Sequence, residues 1–175
     1  HTRLPLVSGL GDVYKRQGSM SFYDDIVIGE PVEIGTHLFT AEEIVRFARA
    51  FDPQPFHLDA EAAKASLFGG LCASGWHTTA VFMKLNVAFM AATAARRAAE
   101  GLDQPHWGPS PGVRNIKWLR PVYAGDRITY RTTATAKRLS QRRHGWAVID
   151  SHVDAETQDG KPALSFDASV FLRTA

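Results

Sequence analysis

The chain has 175 residues, 45% of them hydrophobic and 22% charged, with 20 Lys and Arg against 18 Asp and Glu. That balance fits one globular domain with a substantial core and excludes a disordered or collagen-like chain. One cysteine, Cys72, leaves no internal disulfide to form and fits a reducing, cytoplasmic compartment.

Residues 1–19 show no hydrophobic periodicity and run through Gly18 and Ser19 to Met20, so they read as a cloning-derived tail before a domain spanning 20–175. The tail carries Arg3, Lys15, Arg16 and Asp12; without it 17 basic side chains face 17 acidic ones, and the charge a nucleic-acid partner would need is gone. From Ser21 a loop around Gly29 to Pro31 leads to a short strand near Val32 to Phe39. Thr40 and Glu43 have the spacing of a capping box, and Ile44, Val45, Phe47, Ala48 and Phe51 make a helical stripe that stops before Pro53. Pro53 and Pro55 disfavour helix and hold Asp52 to His57 in a stiff, extended turn. His57 then lies in a loop before a short helix, Ala60 to Ser66, capped by Asp59.

A long helix is predicted from Gly75 to Glu100, with Val81, Phe82, Leu85, Ala88, Phe89 and Ala92 at helical spacing and Arg96, Arg97 and Gly101 as stop signals. Lys84, Asn86 and Arg96 interrupt its apolar run, which points to a helix buried in a soluble core and to no membrane partner. After a Pro/Gly-rich loop the period changes to two over Val113 to Leu119, Arg127 to Arg138, Trp146 to Ala155 and Ala163 to Arg173. Turns at Ala124-Gly125-Asp126 and Asp159-Gly160 separate some of these strands. The sum is an α+β domain in which the long helix covers the apolar face of an antiparallel sheet.

Chemistry concentrates between Phe51 and His77. An acid and an imidazole five positions apart suit general acid–base work, and a helix start at Gly75 offers free N–H groups and a positive dipole end to an oxyanion. The bland alternative makes Asp52 and Asp59 caps and His57 a packed loop residue. Cys72 and His77 lack a third acid and read as buried residues, Ser74 lacks the Gly-x-Ser-x-Gly elbow, and no His-x-x-x-His spacing calls for a metal.

The run Asp52-Pro-Gln-Pro-Phe-His57-Leu-Asp59 followed by Gly75 resembles the hydratase motif of the MaoC-like, (R)-specific enoyl-CoA hydratases. That resemblance covers the chain from about Met20 and implies a single hot-dog domain, an antiparallel sheet wrapped around a long central helix. It implies that Asp52 and His57 activate a water while the Gly75 N–H binds the thioester carbonyl. No cofactor is implied, the partner is an acyl-CoA substrate, and a homodimer carries the site at its interface. Gln54 stands where the family more often has Asn, and Gln54 and Ser74 are candidates for substrate contact. Arg142 and Arg143, in a hairpin-tip run with Lys137, Arg138 and His144, are either solvated surface or contacts to coenzyme A phosphates. The expected activity is reversible hydration of an unsaturated acyl-CoA; an acyl-CoA thioesterase or a non-catalytic acyl-CoA-binding subunit are the alternatives.

Overall fold

Residues 21–174 are described in the computed structural model, so the expected tail and Met20 lie outside the described residues. A four-residue helix, α1 (Phe22–Asp25), was not predicted; Ser21 starts it by accepting the Asp24 N–H at 3.3 Å. Distant residues hold it down. Asp25 pairs with the buried Arg97 at 2.7 Å, whose guanidinium also lies 5.1 Å from the Phe22 ring centroid. Lys137 donates to the carbonyls of Tyr23, Asp24 and Ile26 at 2.8, 3.1 and 3.0 Å.

Strand β1 (Pro31–Leu38) leads into α2 (Ala41–Phe51), where Thr40 accepts the Glu43 N–H at 3.2 Å as the capping pattern predicts. The reciprocal half of the box is not made: the Glu43 carboxylate meets His37 Nε2 at 2.9 Å instead. The segment after Asp52 also differs from the predicted extended turn. Pro55 opens a single helical turn, α3 (Pro55–Leu58), because its fixed φ suits a first helical position that needs no N–H partner. His57 therefore sits on a turn of helix. Asp59 caps α4 (Ala60–Lys64) by accepting the Ala62 N–H at 2.8 Å.

The long helix is α5 (Gly75–Ala99), followed by β2 (His106–Trp107), β3 (Gly112–Trp118), β4 (Arg127–Leu139), β5 (Trp146–Thr157) and β6 (Pro162–Arg173). The sheet runs β1-β4-β5-β6, with β2 and β3 both pairing β6, and every pairing is antiparallel. The predicted Asp159-Gly160 turn joins β5 to β6, with Gly160 at φ 71°. Helix α5 buries Val81 and Phe82 in a core shared with Tyr130, Val153 and Phe166, the Phe82 and Phe166 rings meeting edge to face at 5.0 Å. By length and composition α5 could also cross a membrane, an 18-residue window of it having a mean hydropathy of 1.3; only 17% of that window is buried, so the expected burial in a core holds for the face that packs on the sheet and not for the whole helix. Its other side leaves Met83 and Val87 more than half exposed.

Candidate active site

The site forms where α2 ends, α3 turns and α5 begins. Asp52 closes α2 with its backbone, its N–H reaching the Ala48 carbonyl at 2.9 Å, which leaves the carboxylate free of capping duty. One turn on, the buried His57 directs Nδ1 at the Cys72 carbonyl, 2.6 Å away. A carbonyl only accepts, so Nδ1 carries the proton and Nε2 of the neutral ring carries the lone pair. That Nε2 faces Asp52 Oδ2 at 3.5 Å. At that distance the two atoms are not hydrogen-bonded, and they form an ion pair only once Nε2 has taken a proton.

Three groups fix the charge of Asp52. Burial alone would raise its pKa, but hydrogen bonds from Ser74 and Gln54, together with the positive charge His57 carries when its ring is protonated, outweigh burial and hold the carboxyl below its usual range. The Gln54 amide donates to Asp52 Oδ1 at 2.7 Å, so its side chain serves the acid. Ser74 is buried at the N-cap of α5 and accepts the Trp76 N–H at 3.2 Å; the Gly75 N–H meets no acceptor among the described residues. The helix head thus presents one free donor beside the residue that contacts Asp52. Phe56 and Phe68 flank the imidazole with ring centroids at 4.6 and 6.4 Å, an apolar setting that strengthens the polar contacts inside it.

Gly75 has a second reason to be glycine. A Cβ added there would fall 2.4 Å from Cδ2 of the Trp118 indole, which lies against the helix head. Trp118 is a site residue that the sequence reading missed.

Other candidates separate from this group. Cys72 lies 3.8 Å from His57 Nδ1, but burial pushes its thiol up to about 11 and the Nδ1 proton is engaged by the Cys72 carbonyl, so no thiolate nucleophile is prepared. His77 stacks on Phe47 and does not meet Cys72. Arg142 and Arg143 sit at the β4–β5 hairpin tip. On β6, Leu164 pairs with Trp118 and Arg173 pairs with Trp146 beside that tip, a separation of about 30 Å along the strand. Within one chain the two arginines therefore do not join Asp52, Gln54, His57, Ser74 and Gly75. Of their neighbours, Lys137 is committed to α1 and Arg138 to Asp150, while Arg143 lies over the Phe171 ring. Among the described residues no group of His, Cys, Asp and Glu side chains is placed to hold a metal ion.

An antiparallel sheet packed on one long helix, with an acid–imidazole pair at the helix head, defines a hot-dog domain of the hydratase-motif type. The chain belongs to the MaoC-like domain family, whose model matches residues 25–155. It is similar to the crystal structure of the MaoC-like dehydratase from Rhodospirillum rubrum, at 34% identity over 87% of this chain and 96% of that one, with a TM-score of 0.71. The (R)-hydratase from A. caviae involved in PHA biosynthesis shares the fold at 20% identity, covering 83% of this chain and 96% of that one, with a TM-score of 0.58. A Bacillus subtilis protein of uncharacterised function, YdeM, is 39% identical over 105 residues, 60% of this chain and 67% of its own length.

Proposed function

We propose that the protein is a hydro-lyase that reversibly adds water across the double bond of a trans-2-enoyl-CoA. The observation that carries this reading is the His57 ring, buried, fixed in one tautomer and turned with its free Nε2 toward an ionised Asp52 close to the open Gly75 N–H. In the hydration direction a water held between Asp52 and His57 gives its proton to Nε2, and its oxygen bonds to C3. Electron density moves through C2 into the thioester oxygen, which the Gly75 N–H receives. The proton on His57 then returns to C2, so one water supplies both added groups. Asp52 stabilises the imidazolium formed between the two transfers. The kinship with the R. rubrum dehydratase and the fold shared with an (R)-hydratase support the reaction class.

We also propose a homodimer in the cytoplasm. Strand β3 pairs only with β6 among the described residues, and Val113, Met83 and Val87 are left exposed on β3 and α5, an apolar area that a second copy would cover. A dimer mass by light scattering is the expected result, and a monomer would overturn this part.

The activity is tested with a panel of 2-enoyl-CoA thioesters of different length, following the absorbance of the conjugated thioester. Loss of that absorbance without release of free thiol is expected. Thiol release would identify a thioesterase, and tight binding with no change in either signal a binding subunit; both would overturn the hydratase reading.

A further inference from the structure

We propose that Trp118 is the specificity-determining residue of the site, a fixed wall beside the thioester that accepts straight-chain 2-enoyl groups and rejects those bearing a substituent at C2. The proposal rests on the hydratase reading and adds to it the class of acyl group that enters. Trp118 closes β3, and its indole packs so tightly on the head of α5 that its Cδ2, Cε2 and Cγ would lie 2.4, 2.5 and 2.7 Å from a Cβ at Gly75. Ideal geometry puts that Cβ about 2.5 Å from the Gly75 nitrogen, so the nearest ring atoms lie within about 5 Å of the proposed oxyanion donor. A thioester oxygen bound there stands about 2.9 Å from the nitrogen. The bound thioester and the indole then share one helix head, and on this proposal it is C2 of the acyl group that approaches the ring.

The ring is not free to swing away. Its Nε1 donates to Thr79 Oγ1 at 3.2 Å, and that hydroxyl donates to the Gly75 carbonyl at 2.9 Å, so the wall is tied to the same residue it covers. Trp76 braces it edge to face at 4.9 Å. With 46% of its surface exposed, Trp118 remains reachable by a ligand. Sulfur is common to every acyl-CoA, so the only group this wall can discriminate is the one on C2. A bulky substituent there meets a rigid aromatic face, and excess volume against a fixed wall is poorly tolerated.

The test compares crotonyl-CoA with its 2-methyl analogue, tiglyl-CoA, in the wild type and in Trp118→Phe and Trp118→Ala, each checked for folding by circular dichroism. We expect kcat/KM in the wild type to favour crotonyl-CoA by roughly a hundredfold. Trp118→Ala should shrink that ratio at least about tenfold, with Trp118→Phe between the two. An unchanged ratio in a folded variant would overturn the proposal, and Trp118→Phe decides it if Trp118→Ala does not fold. Calorimetric binding of the saturated pair, butyryl-CoA and isobutyryl-CoA, to the same proteins reads the wall without turnover. If neither enoyl thioester is hydrated, the hydratase reading fails, and the shift in the butyryl to isobutyryl ratio still decides the role of Trp118. Failure of both saturated thioesters to bind would overturn the wall as well.

Discussion

His57 and His77 are buried to the same degree, each 5% exposed, yet their surroundings prepare them for different things. Around His57 the Cys72 carbonyl fixes one ring nitrogen and Asp52 faces the other. Around His77 the ring lies flat on Phe47 at 4.6 Å and edge-on to Phe39 at 5.0 Å, and its Nδ1 has no hydrogen-bond partner among the described residues. Burial pushes the His77 pKa down to about 4, against an upward pull from Glu43 and with smaller downward pushes from His37 and Arg46. Burial by itself makes an imidazole neutral and idle. A base needs a fixed tautomer and an anion positioned to stabilise the proton it takes.

The largest effect that would break this contrast is on turnover. His57→Ala and Asp52→Asn should each lower kcat by about a hundredfold to ten-thousandfold in steady-state assays, while His77→Phe stays near wild type. Comparable losses from the His77 variant would erase the distinction between the two rings. Next comes Gly75→Pro, which deletes the free donor at a position where proline is tolerated and should lower kcat roughly a hundredfold to a thousandfold in a protein shown by melting to be folded. Normal turnover in that variant would leave the acid–imidazole pair without an oxyanion partner.

The reverse contrast appears in pH-dependent stability. A folded pKa of about 4 for His77 lies below the ordinary 6.5, so the unfolded chain takes up the proton first as pH falls. The stability gained by keeping His77 neutral is complete above pH 6.5 and is lost as the pH drops toward 4, by up to roughly 3 kcal/mol. Urea melts of His77→Phe between these values should show a flatter dependence than the wild type; an equal slope would assign the acid loss to other groups. The smallest expected effect comes from Gly75→Ala. It keeps the N–H but drives a methyl into Trp118, and overpacking of this kind costs about 1–3 kcal/mol, visible as a lower Tm. The sequence alone suggests that this alanine crowds only the thioester. The indole corrects that expectation.

Local signals carried most of the fold. Thr40 and Asp59 cap their helices because a cap acts within three residues, and the Asp159-Gly160 turn needs only a glycine able to adopt positive φ. Asp52, His57 and Gly75 could be singled out because the motif is contiguous up to a short connection. What stayed hidden depends on meetings between distant residues. The Trp118 contact with Gly75 joins positions 43 apart, and no periodicity marks it. Glu43 leaves the capping box because β1 brings His37 beside it. The roles of Gln54 and Ser74 as partners of Asp52 depend on rotamers that only packing decides. The cationic run at the β4–β5 tip could not be located relative to the motif until strand register put it at the far end of β6.

The clasp on α1 bears on the order in which the molecule assembles. Phe22 to Ile26 leave the ribosome before the rest of the domain, yet Asp25 must wait for Arg97, and the carbonyls of Tyr23, Asp24 and Ile26 wait for Lys137, up to 114 residues later. Closing loops of that length is an entropic cost that only a largely formed sheet and α5 can offset, so this segment docks late. The first piece of the described chain to be synthesised is then among the last to be fixed. Until it docks, Arg97 lacks its carboxylate partner.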